Sequence, residues 1–299
     1  MKKFFLKIAL FLAVMIAIDL AFGKVCDFLR VHTKGGFTGN VQYICEQCDE
    51  DIIMMGSSRM RHHYVPQVFE DSLGMRCYNT GIDGNGIILS YGFLEMILER
   101  YTPRLILYDV SSFDMYEDDN TKYLGTLKAY YDRSGIPDIF QDVDPAERLK
   151  MKSRLYRYNS NLLGLAGDYV HPLQQFEKGY WPLQNVMDYE PEKPQTEDYQ
   201  VDSLKLRYLK KFITLARSHG ATLVFTASPT YWGEQMGSYY APVETIFEAE
   251  GIPFINYIYD PEICGSKEYW SDATHLNDVG ADLYSRQLCQ IFNSRYVFN

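Results

Sequence analysis

Three short stretches hold the side chains best suited to chemistry on a carbonyl. Gly56-Ser57-Ser58 directly follows the apolar run Ile52 to Met55. A serine on a tight turn at a strand's carboxyl end presents its hydroxyl away from the sheet, as a nucleophile requires. Gly-Ser-Ser is also a common turn and says little alone. Asn79-Thr-Gly81-Ile-Asp-Gly84-Asn-Gly86 again lies between a candidate strand and a helix. Its glycines let backbone approach a ligand, and an amide at a helix start can meet an oxyanion; a plain strand-to-helix turn reads the same way. Asp272-Ala-Thr-His275 precedes the last helix, with Asn277 and Gly280 following. Its spacing lets Asp272 hold one imidazole nitrogen while the other faces a serine.

The elements that must position these residues follow from apolar periodicity. Ile52 to Met55, Arg104 to Val110, Ala221 to Ala227 and Pro253 to Tyr257 read as buried strands, with Cys77 to Asn79 a weaker candidate. Gly86 to Arg100, Asp202 to His219, Pro242 to Glu250 and Val279 to Phe292 read as helices, and Asp202 is a suitable N-cap. This alternation predicts an α/β fold with three α/β/α layers around a parallel, flavodoxin-like sheet. Residues 115 to 200, rich in Tyr, Asp, Asn and Pro, break the pattern. They are expected to be an insertion after the third strand, partly helical around Pro145 to Tyr156 and an exposed loop over 189–195.

Taken in order, the three blocks resemble the SGNH hydrolases, also called GDSL esterases and lipases, over about Asp51 to Phe292. The resemblance implies Ser58, rather than Ser57, as nucleophile, His275 as base, Asp272 as its orienting acid, and the Gly84 amide as an oxyanion donor. The Asp-x-x-His-x-Asn-x-x-Gly ending is the most specific match. The family's third block, Gly-x-Asn-Asp, reads here Val110-Ser-Ser-Phe113-Asp114, with Phe113 where an oxyanion-binding Asn belongs. Ser111, Ser112, Asn85 or Asn159 are the candidate replacements. Arg59, His62 and His63 after the serine could meet an anionic or sugar substrate, although a solvated loop is the simpler expectation. A metal bound by His62 and His63 is not expected, because adjacent side chains diverge. No cofactor is implied.

The amino terminus carries Lys2, Lys3 and Lys7, and Ile8 to Ile18 then run without a polar residue. This is an export pattern. A short apolar core with Ala21-Phe22-Gly23 fits a cleaved signal. Alternatively, Phe4 to Phe22 just reaches spanning length. The uncleaved anchor is the reading preferred, with residues 1–23 as anchor or signal segment, 24–50 as a juxtamembrane connector and 51–299 as the hydrolase-like domain. The chain would then lie outside the cytoplasm, periplasmic or at the cell surface, anchored or secreted. The single Cys45-x-x-Cys48 pair suggests a local disulfide formed after export, or a redox pair.

The chain has 299 residues, 46% hydrophobic and 23% charged, with a net charge of −10. That balance excludes a mainly disordered chain and argues against nucleic acid as a partner. Two functions are expected. The first is a serine-dependent esterase or O-acyltransferase acting on acyl groups, acetyl above all, of a cell-envelope or extracellular glycan or a small ester. The second is a non-catalytic protein of the same fold that binds glycan at the cell surface.

Overall fold

The apolar runs pair side by side. In the computed structural model, which describes residues 1–172, 177–193, 199–236 and 238–295, five strands form one all-parallel sheet. They are β1 (Ile52–Gly56), β2 (Cys77–Asn79), β3 (Leu105–Asp109), β4 (Thr222–Ala227) and β5 (Phe254–Asn256). Their order is β2-β1-β3-β4-β5, with Ile52 opposite both Cys77 and Leu105. This is the flavodoxin-like order, whose topological switch lies between β1 and β3; ligand sites form outside the strand ends at such a point.

Side chains alternate across the sheet, so each face has its own core. Ile53, Met55, Ile106, Tyr108 and Phe225 pack on one side. The helices there are α2 (Gly36–Glu46), α5 (Ile87–Leu98), α10 (Ser203–Ser218) and α11 (Ala241–Glu250). Ile52, Met54, Leu105, Leu107 and Val224 pack on the other. That layer holds α3 (Ser58–His63), α4 (Pro66–Leu73) and α12 (Asp278–Arg295). The fold is thus the three-layer α/β/α architecture expected. Asp202 caps α10, accepting the N–H of Leu204 at 2.7 Å and of Lys205 at 3.3 Å.

The insertion is more helical than its composition suggests. It holds α6 (Ile136–Val143), α7 (Pro145–Lys150), α8 (Arg154–Tyr158) and α9 (Leu162–Val170). Tyr189 to Lys193 form no regular element, and the last two residues of the expected loop, 194 and 195, lie outside the described residues. α1 (Lys2–His32) runs unbroken from the amino terminus, with a mean hydropathy of 2.4 over its most apolar stretch. Among the described residues it is the one helix long and apolar enough to cross a membrane. Residues 24–50, which show no clear periodicity, contain the end of α1 and all of α2.

All six cysteines are free. The expected Cys45–Cys48 disulfide is therefore corrected. Cys48 Sγ instead donates to the Ile44 carbonyl at 3.1 Å and lies beside Arg100 Nη2 at 3.4 Å, in the buried seam between α2 and α5.

Candidate active site

β1 delivers its serine through a turn that only glycine makes comfortably. Gly56 has φ +151°, and a Cβ there would sit 2.8 Å from the Asp109 carbonyl oxygen. Ser57 then N-caps α3, and Ser58 is its first residue. Asn79 pins this short helix to β2. Its amide donates to the carbonyls of Met60 at 2.6 Å and Tyr64 at 3.0 Å, and its oxygen accepts from the Gly81 N–H at 3.0 Å.

The Asp-x-x-His turn closes on itself from the other end of the chain. One Asp272 carboxylate oxygen accepts the backbone N–H of Thr274 at 2.8 Å and of His275 at 2.9 Å. The carboxylate lies 2.9 Å from Nδ1 of the imidazole. Burial raises the Asp272 pKa, but the His275 ring and the two N–H groups outweigh it and hold the carboxyl below its ordinary value. An ionised carboxylate only accepts, so Nδ1 carries the proton and Nε2 is left as acceptor. Nε2 lies 2.8 Å from Ser58 Oγ, whose hydroxyl therefore donates to it. Ser58, His275 and Asp272 thus stand in one hydrogen-bonded line. Asn277 holds the turn to α12: its oxygen accepts the Gly280 N–H at 3.0 Å and its amide donates to the Glu268 carbonyl at 2.7 Å.

Beside this line opens a cleft of about 430 Å³. It lies where β1 and β3 diverge. Ser111, Ser112 and Phe113 from the end of β3 line it, facing Trp232, Tyr239 and Thr274. Of the candidate replacements for the missing Asn, the two serines reach the cleft. Ser111 is committed elsewhere, donating through its hydroxyl to Asp114 at 2.9 Å. Asn85 donates to the Asp83 carbonyl at 2.9 Å, and Asn159 is exposed on the insertion. Gly84 sits exposed on its turn with φ +65° and is not among the cleft-lining residues. The turn is tied to α3 through Asp83, 2.9 Å from Arg61 Nη1 and 3.4 Å from His62 Nε2.

The expectation of a solvated loop after the serine is overturned: Arg59, Arg61, His62 and His63 are all buried. The reason is tertiary. Arg59 donates to the Ser228 and Val110 carbonyls and, at 2.8 Å, to Tyr240 Oη; its Nε lies 3.4 Å from Asp109. Those partners lie at the ends of β3 and β4 and at the N-cap of α11, and they hold α3 in place beside the cleft that Arg59 also lines. The two histidines do diverge. His62 Nδ1 meets the Trp181 carbonyl at 2.7 Å, and His63 Nδ1 meets Ser228 Oγ at 3.0 Å. Asp109 and Ser228 escaped notice in the sequence. The only available signal was a carboxylate ending an otherwise apolar strand, Leu105 to Tyr108.

No family model matches the chain, and no curated protein matches it. Solved structures do. One is a Bacteroides fragilis protein provisionally described as an acylhydrolase, 14% identical over 87% of this chain and 96% of its own, at TM-score 0.42. A GDSL-like lipase from Bacteroides thetaiotaomicron is 15% identical over 80% and 87%, at TM-score 0.35. A protein provisionally described as a platelet activating factor, from Streptococcus pneumoniae, is 13% identical over 95% and 98%, at TM-score 0.42. The sheet is the all-parallel α/β arrangement expected from motifs that resemble those of the SGNH hydrolases.

Proposed function

We propose that the protein is a serine-dependent ester hydrolase or O-acyltransferase, held at a membrane by α1, that works on acyl groups of cell-envelope or extracellular glycans. The observation that carries this reading is the line Ser58 Oγ, His275 Nε2, His275 Nδ1, Asp272. In it Ser58 attacks the acyl carbonyl, breaking the carbonyl π bond, while His275 takes the hydroxyl proton and Asp272 steadies the imidazolium. His275 then returns the proton to the departing alcohol. Water or a sugar hydroxyl, deprotonated in turn by His275, releases the acyl group from Ser58. The oxyanion is met by the N–H of Ser58, with the Ser112 hydroxyl standing in for the absent Asn side chain; Gly84, exposed and outside the cleft, does not serve it. Trp232 and Tyr239 give the cleft aromatic walls suited to a sugar ring.

Phe113 at the Asn position favours the second reading, a glycan-binding protein that has given up catalysis. A fluorophosphonate probe separates the two. Covalent mass gain on the Ser58 peptide, lost in His275→Ala, supports the hydrolase. An unmodified Ser58 across several probes supports the binding protein. Release of acetate from acetylated glycan, against transfer to an added sugar, then divides esterase from transferase.

A further inference from the structure

Asp19 lies inside the apolar stretch of α1, yet its carboxylate is fully engaged. It accepts from Ser153 Oγ at 2.7 Å, the Arg154 N–H at 2.9 Å and the Leu155 N–H at 2.8 Å. These groups form the first turn of α8, so that turn must share the depth of Asp19. Depth follows from the span. Phe4 to Phe22 rises about 28 Å at about 1.5 Å per residue, just the thickness of a bilayer core, and Asp19 falls nearly one turn inside its outer end.

The chain around that turn is built for such a depth. Gly23 of α1 lets the Arg154 stem pack close, a Cβ there standing 2.7 Å from Arg154 Cβ. The guanidinium then reaches away from the span, to Asp27 at 3.5 Å and Asp132 at 3.0 Å, the snorkelling of a cation at an interface. Leu149 is 63% exposed, and Lys152, before α8, and Lys24, next to Gly23, are exposed as well. An apolar side chain flanked by lysines suits acyl chains below and lipid phosphates above.

We propose that the turn from Leu149 to Leu155 is seated at the boundary between the acyl chains and the headgroups of the bilayer that α1 crosses, so that the insertion rests on the lipid rather than swinging on a tether. This rests on the anchor reading of α1. It also makes residues 19–27 a packing surface of the folded domain, which a cleaved signal could not be.

The test uses the full-length protein in phospholipid vesicles, in a Cys264→Ala background because the other five cysteines are buried. Environment-sensitive fluorophores are placed through Leu149→Cys, Leu12→Cys as the in-membrane reference and Val279→Cys, on the opposite layer, as the aqueous reference. Nitroxide-bearing lipids are then added. The expected result is quenching at Leu149 several-fold above that at Val279, together with strong quenching at Leu12. Strong quenching at Leu12 with Leu149 matching Val279 overturns the seating and spares the anchor. No quenching at Leu12 overturns the anchor and the seating with it.

Discussion

The backbone N–H of Leu276 donates to Nε2 of His63 at 3.0 Å, so the residue beside His275 is held by a second, buried histidine. That bond makes Nε2 an acceptor and leaves the hydrogen on Nδ1, which donates to Ser228 Oγ at 3.0 Å. Ser228 in turn donates to Asp109 through its N–H at 2.7 Å and its hydroxyl at 3.1 Å. A protonated His63 would turn an N–H against an N–H. Burial, with the His275, Arg59 and His62 charges adding to it, holds the His63 pKa well below its ordinary value.

Stability therefore depends on pH through His63. Its unfolded form takes up a proton as pH falls through about 6.5, while the folded form does not, so the unfolded state gains by up to about 1.4 kcal/mol per pH unit. Denaturant titration at pH 7, 6 and 5 should show this loss in the native protein. His63→Gln should remove that share of the slope. An unchanged slope in the variant would assign the loss to another group.

Ser58→Ala and His275→Ala should each abolish hydrolysis of a small acetyl ester with circular dichroism unchanged. Asp272→Asn should cost on the order of 10⁴ in rate, the scale at which a triad loses the correct imidazole tautomer. Ser57 makes no side-chain capping bond to α3, and Ser57→Ala should keep most activity. An inactive Ser57→Ala beside an active Ser58→Ala would move the nucleophile by one residue.

Ser112→Ala should lower kcat by about 10²–10³ if its hydroxyl serves the oxyanion, with KM little changed. A variant as active as the native enzyme would leave the oxyanion to backbone amides alone.

Gly56→Ala should destabilise the fold by about 1–3 kcal/mol from its backbone angle, before the clash with the Asp109 carbonyl is added. Gly74 has φ +66° but open space around a Cβ, so Gly74→Ala should cost less. Melting temperatures of the two variants give the comparison. Equal losses would mean that the close approach of β1 to β3 carries no energetic weight.

The parts of this protein visible in its chain are those governed by near neighbours. Apolar runs mark β1, β3, β4 and β5 because a parallel strand is buried on both faces. Asp272 and His275 sit three residues apart, so a single turn suffices to join them, and Asn277 and Gly280 close onto α12 in the same stretch. The fate of Arg59 and His63 could not be read there. A basic hexapeptide is ordinarily solvated, and its burial depends on Asp109, Ser228 and Tyr240, which sheet pairing brings in from 50 to 181 residues away. The same holds for Asp19. In the sequence it is a flaw in an apolar segment; in the fold it caps α8, because the insertion supplies its carboxylate with three donors. Local pattern specifies elements and the residues at their ends, whereas the partners that neutralise buried charge are set by which distant elements become adjacent.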